Sequence, residues 1–252
     1  DVFVLKKEKI EKILRLFSQK YDIEKILFSS NNNFSFKLNN KFNISKLFVN
    51  SQIALKDLTF VNKKKGKYFL PKVKNKIVLK NHNIKINVKN GIYSTSGSGE
   101  LFLQEKKDRI NYSIKNKDTS YHIKTSLELN QNPFLIEFLN YKKDDRSKAN
   151  IQTEFLINKK DINIKKIKIE EIDNRFIFEN IFLDKDFKII KIDKINLDYI
   201  DNDNKENSIK LTRNKDTYNV IGKKFNADNL INKILNTEGN TNNLFKDDFE
   251  LN

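Results

Sequence analysis

The sequence predicts a mainly β protein, an antiparallel meander sheet with two short flanking helices. Three observations predict it: apolar residues alternate with Lys, Asn, Ser, Asp or Thr at period two, clusters of Asn, Asp and Lys separate those stretches, and no β-α-β spacing occurs. Successive side chains of a strand point to opposite faces, so alternation means that one face is buried. Strands of a parallel sheet are covered on both faces and read as continuous apolar runs instead.

Taken in order, residues 6–20 place Ile10, Ile13, Leu14 and Phe17 on one stripe, which predicts an amphipathic helix. Strands are expected between residues 24 and 222, with the clearest alternation at 34–38, 84–88, 110–114, 123–129, 162–164, 195–199 and 209–211. Turns are expected at 31–33, 39–40, 62–67, 106–109, 116–118, 184–186, 201–207 and 214–216. Asn and Asp tolerate the left-handed conformation and cap their own turns, so they can stand in for scarce Gly and Pro. Asp228 can cap a second helix over 228–235, with Leu230, Ile231, Ile234 and Leu235 as its stripe. Both helices are expected to cover part of a sheet. Residues 236–252 read as a polar linker, with Phe249 and Leu251 starting a next strand.

The stretch "NGIYSTSGSGELFL", residues 90–103, holds three of the six glycines. No Lys and Ser/Thr follow Gly99 at the spacing of a phosphate loop, and the stretch continues as a strand through Leu103 and Gln104. One face would carry Tyr93, Thr95, Gly97, Gly99, Leu101 and Leu103. The two glycines leave a notch in that face, the usual mark of a bend or a close approach.

At 252 residues the chain can bury a substantial core. Its 38% hydrophobic content and 20 Phe argue against disorder, although 33% of the residues are charged. Without Cys, disulfides and thiolate metal sites are excluded. The net charge of +16 would suit nucleic acid or an anionic membrane, but abundant Lys, Asn, Ile and Phe also fit an A/T-rich coding bias. No apolar run exceeds residues 2–5, and the first residue is Asp1, so the chain reads as a segment of a longer protein.

Catalytic groups are not apparent, and no enzyme is expected. His82 is placed in a turn and His122 in a strand, both facing solvent without acidic or nucleophilic partners at informative spacing. The pairs Asp144-Asp145, Glu170-Glu171 and Asp247-Asp248 fall in polar turns or the tail. Residues 201–206 lack the spacing of a calcium-binding loop. No metal or other cofactor is expected. Nucleic acid is not expected as a partner either: residues 63–65 and 142–143 are local basic runs, and the aromatics sit in apolar phase. A basic nucleic-acid binder and a purely structural β-sandwich remain as alternatives.

Three stretches, "INVKNGIYSTSGSGELFLQEKKDRINYSIKNKDTSYHIKTSLELN", "FLIEFLNYKKDDRSKANIQTEFLIN" and "IIKIDKINLDYIDNDNKENSIKLTRNKDTYNVIGKKFNADNLINKIL", resemble the bacterial AsmA-like family. The resemblance is strongest to YhdP-like members and more distant to TamB-related ones. Its most specific pattern is Gly222, then Phe225, Asp228 and a Leu-rich helix from Leu230, and it spans residues 1–235. It implies a long sheet curled into an open groove, lined with apolar residues, that conducts phospholipids between inner and outer membranes. It further implies a periplasmic location, with anchoring to the inner membrane through parts outside this segment. Strand phase makes Phe176, Phe178, Ile189, Ile195, Leu197, Tyr199, Leu101 and Leu103 the expected lining, with Gly97 and Gly99 allowing curvature or leaving room for acyl chains. A phase change between Ile189 and Ile192 suggests a bulge.

Overall fold

A computed structural model describes residues 2–6, 22–61, 69–89, 91–159, 161–184, 187–215, 217–229 and 231. These residues group into two compact units: one holds those up to 127 except 69–71, and the other holds 69–71 and those from 128 onwards.

The first unit contains β1 (Val2–Lys6), β2 (Asp22–Leu38), β3 (Ile44–Val61), β4 (Lys76–Lys89), β5 (Ile92–Phe102), β6 (Asp108–Lys117) and most of β7 (Ser120–Leu129). They pair in chain order, antiparallel from β1 through β6. The second unit contains a hairpin of β8 (Leu135–Ile136) and β9 (Tyr141–Lys142), joined by the 3-10 turn Glu137–Leu139. After it come β10 (Ala149–Ile157), β11 (Ile162–Glu171), β12 (Asn174–Leu183), β13 (Ile189–Ile200), β14 (Glu206–Asn214) and β15 (Thr217–Lys224), again antiparallel in chain order. Each meander is open, because its first and last strands do not pair with each other.

Local chemistry accounts for the hairpins. The Asn39 carboxamide oxygen accepts from the backbone N–H of Lys41 and Asn43, both at 2.9 Å, and closes the β2–β3 turn. Asp184 and Asp201 do the same for Lys188 and Lys205, each at 2.9 Å. Asn81, Asp118, Asn140, Asn180 and Asn204 adopt positive φ, the conformation that Asn and Asp tolerate best after Gly.

Strand phase breaks at places that local alternation does not mark. In register, Ile164 faces Ile181 and Ile181 faces Ile192, while the next row is Lys166, Glu179 and Lys194. Lys165, Asn180 and Asp193 are stepped over on three adjacent strands, so apolar residues three apart stay on one face. In the first unit Lys56 and Asn81 are stepped over in the same way, which puts Leu55 with Leu58 and Leu79 with His82. A further shift between Phe182 and Leu183 passes over Ile190 on β13, at the place where a bulge is expected.

Several expectations are corrected. No α-helical element occurs among the described residues beyond a single turn at Asp228, Asn229 and Ile231, where the Ile231 N–H donates to Ala227 O at 2.8 Å. At the other end, Lys6 is in β1 opposite Lys25, because the apolar run before it pairs with residues 26–29 of β2. The remainder of the two expected helices, 7–20 and most of 230–235, lies outside the described residues, as does 236–252. Residues 31–33 are not a turn: they lie inside β2 opposite Ser51 and its neighbours, since pairing with the 18-residue β3 satisfies their backbone. Strand β5 stops at Phe102, and Leu103 and Gln104 enter a bend where the Leu103 carbonyl accepts from Lys74 N–H at 2.8 Å. The two-sheet sandwich also finds no support in the pairing, because the hairpin β8–β9 is the only described sheet besides the meander.

Candidate functional site: the apolar faces of the two units

In the first unit, register builds one face from rows of facing residues. Leu58, Leu79 and Leu101 form one row, followed by Phe28, Leu55 and His82, and then Ile53, Ile84 and Gly97. Leu55, His82 and Leu101 are buried, whereas Ile53 and Ile84 are half-buried. The glycine notch lies on this face and is filled. A Cβ on Gly99 would overlap the His82 imidazole, and one on Gly97 would lie 2.6 Å from the Tyr112 ring. The two rings stand 5.9 Å apart. His82 is therefore neither in a turn nor solvent-facing: it sits in β4, 1% exposed, because the absent glycine side chain leaves its ring a place on the apolar face. His82 Nε2 lies 2.9 Å from the Glu100 carbonyl oxygen, and Nδ1 has no hydrogen-bond partner.

In the second unit, Ile164, Ile181 and Ile192 form a buried cluster with Phe155, Ile162, Ile167, Phe178, Leu183, Ile189 and Ile195 packed around it, half-buried. Toward the β11–β12 turn the same face continues through Ile169, Phe176, Leu197 and Tyr199, all buried. The reason is a roof. Tyr141 lies over Phe176 with ring centroids 4.6 Å apart and meets Tyr199 edge-on at 6.1 Å, while Phe176 and Tyr199 are 5.1 Å apart. Phe134, Ile136 and Leu139 of the same insertion are buried with it.

The roof is latched by polar groups. Glu171, 2% exposed, accepts from the Tyr141 hydroxyl, from Ser147 Oγ and, at 3.0 Å, from the Asp144 backbone N–H. Asn202 N–H donates to the Asn140 carbonyl at 2.8 Å, and Asn140 Nδ2 to Asp203 at 2.8 Å. Burial raises the Tyr141 hydroxyl pKa, helped by the Glu171 carboxylate, so the phenol stays a donor. Burial raises that of Tyr199 too, with Asp201 adding to it. Burial opposes ionisation of Asp201, but bonds from Asn226 and from the backbone of Lys205 and Asp203 outweigh it, and the carboxyl is held below its ordinary range.

The opposite faces carry charge. Lys166 and Lys194 flank Glu179, at 3.9 and 2.9 Å, and the bond from Lys194 lowers its pKa despite partial burial. Lys107 does the same for Glu100, and Lys25 pairs with Asp57 at 2.8 Å.

Against the expected lining, Phe176, Leu197 and Tyr199 lie beneath the roof, whereas Phe178, Ile189 and Ile195 surround the isoleucine cluster. Leu101 is buried in the first unit and Leu103 is half-buried outside any strand. Gly222 lies beside a register shift in β15, where a Cβ would come within 3.3 Å of the Ser208 carbonyl. Phe225 is half-buried, Asp228 is exposed and Leu230 lies outside the described residues. Sequence reasoning missed Tyr141, Lys143 and Glu171. The sequence places Lys143 in a local basic run and Glu171 in a polar turn, but Glu171 ends β11, both are buried, and the Lys143 amine donates to the Asp144 carbonyl at 2.8 Å. The signal available was the aromatic-rich, non-alternating segment 130–148, which matches no strand period.

Among the described residues no helix is long and apolar enough to cross a membrane. No protein-family model, curated protein or solved structure matches this chain. The class of protein that the geometry defines is an open antiparallel meander with an apolar face in each unit.

Proposed function

We propose that this chain is a groove-forming segment of a bridge-like periplasmic protein of AsmA-like type, with phospholipid acyl chains carried along its apolar faces between inner and outer membranes. The observation that carries the reading is the half-buried apolar surface around Ile164, Ile181 and Ile192; among the described residues the ring of Tyr141 packs further along the same face, on Phe176 and Tyr199. Apolar surface left partly open in this way is a common mark of a binding site. Apolar contact is non-directional, worth about 25 cal/mol per Å² wherever a chain lies, so an acyl chain can slide along such a face without a catalytic group. In this reading the apolar face of each unit meets lipid along its own strands, and the resembling stretches from residue 86 to residue 130 and from residue 189 onwards contribute strands to those faces.

Native mass spectrometry of the purified chain tests this. Co-bound phospholipid is expected, and it is expected to be lost when Ile167, Phe178 and Ile195, which face one another across three strands beside that cluster, are replaced together by Asp in a variant whose β-sheet circular dichroism is retained. A lipid-free protein that also fails to take up added phospholipid would falsify the reading, as would lipid delivery undiminished by the triple charge.

A further inference from the structure

The first unit is charged unevenly along its strands. Six of its seven described acidic residues, Asp22, Glu24, Asp57, Glu100, Glu105 and Asp108, lie toward one end. At the other end, residues 31–50 contain Lys37, Lys41 and Lys46 and no Asp or Glu, and residues 81–99 add Lys85 and Lys89, again with none. The β6–β7 turn brings Lys115, Lys117 and one acid, Asp118. In a chain with 33 acidic residues this end carries seven lysines against that one acid.

The same end exposes large apolar side chains. Phe34, Phe36, Leu38, Phe42 and Ile44 are 44–84% exposed on the β2–β3 hairpin, whose strands of 17 and 18 residues are the longest in the unit. Exposure is not confined to one face. Phe34, Val49, Val88 and Tyr93 form one row in register, and Ser35, Phe48, Lys89 and Ile92 form the next, one residue along and therefore on the opposite face. Phe34 and Tyr93 are exposed on the first, Phe48 and Ile92 on the second.

Phe42 is a separate observation. It holds φ of 58° in a turn that Asn39 closes with two side-chain bonds, and it is 84% exposed. A bulky residue in the left-handed region is an outlier, and this Asn-rich chain had a tolerant residue at hand.

We propose that this end of the first unit seats on an anionic lipid bilayer, with the hairpin's aromatic and aliphatic side chains in the interface and its lysines on the headgroups. A protein groove would cover one face of the sheet, whereas a bilayer interface surrounds an end that is apolar on both. Apolar anchors ringed by cations, with Asp118 as the one acid among them, match a negatively charged surface. The inference does not rest on acyl-chain transport: a tip can dock whether or not the apolar faces carry lipid.

The chain has no Trp, so Phe42→Trp makes a sole reporter at the tip. With vesicles of phosphatidylethanolamine and phosphatidylglycerol, its emission is expected to shift to the blue and the protein to co-sediment. Phosphatidylcholine vesicles are expected to give neither at moderate salt. Replacing Lys37, Lys41 and Lys46 together by Gln is expected to weaken partitioning roughly 100-fold. Phe34→Ser with Phe36→Ser is expected to weaken it about tenfold or more. All of these positions are exposed, so the fold is expected to be retained and is checked by circular dichroism. Unshifted emission from the Phe42→Trp reporter, equal binding to neutral vesicles, or binding indifferent to both sets of changes would overturn the proposal. So would a blue shift that grows with protein concentration in the absence of vesicles, since a second copy would then cover the tip.

Discussion

A methyl group added at Gly99 would occupy the place of the His82 imidazole, on strands that are paired on either side of it at Lys80–Glu100 and Asn83–Ser98. Gly99→Ala is expected to cost about 1–3 kcal/mol, the usual range for overpacking. His82→Ala also costs stability, but the double variant should lose less than the sum of the singles by more than about 0.5 kcal/mol, because the two groups compete for one space. Urea unfolding of the four proteins measures this, and strictly additive losses would mean that ring and glycine do not share that space. Asp201 offers a second residue-scale forecast. Its carboxyl is held below the ordinary value, so its contribution is present above the unfolded pKa and is lost as pH falls through the folded one. Thermal melts of Asp201→Asn from about pH 6 to about pH 2 should therefore show a shallower acid loss than the parent. Neither forecast could be made from the sequence. Gly99 and His82 are 17 positions apart, and alternation alone left open what fills the notch.

At the scale of elements, the insertion between β7 and β10 behaves as a fixed roof. Tyr141 contributes a ring over Phe176 and a hydroxyl to buried Glu171, and the two parts can be separated. Tyr141→Phe keeps the ring and leaves Glu171 short of a donor, an expected loss of about 1–3 kcal/mol. Tyr141→Ala also opens a cavity against Phe176 and Tyr199, and a loss of about 3–5 kcal/mol is expected. Equal losses in denaturant unfolding would show that packing contributes nothing beyond the hydrogen bond. By contrast, Lys166→Gln and Lys194→Gln on the half-exposed polar face should each change stability by no more than about 1 kcal/mol, since solvent screens such pairs. Strands and hairpin turns were largely legible in advance, because alternation and Asn/Asp clusters are local signals. The roof was not, because its burial depends on strands that follow it in the chain.

For the whole molecule, the +16 charge has a different meaning once the strands are placed. Many lysines are paired with carboxylates on the polar faces, as at Asp57, Glu100 and Glu179, whereas one end of the first unit lacks acids almost completely. Electrostatic association should therefore depend on the lysines of that end rather than on net charge. Replacing Lys166 and Lys194 with Gln removes as much charge as two tip replacements, yet should leave vesicle partitioning within about twofold of the parent. Co-sedimentation measures this, and equal losses from both positions would mean that total charge is the controlling quantity.

By itself the sequence determined that the chain folds as antiparallel strands joined by Asn- and Asp-rich turns, because a half-buried strand writes its period into consecutive residues. Only the tertiary structure decided where that period breaks, at Lys56, Asn81, Lys165, Asn180 and Asp193, and hence which side chains share a face. A step of one residue on one strand is tolerated only when its neighbours step with it, and that agreement exists in the pairing of strands distant in sequence.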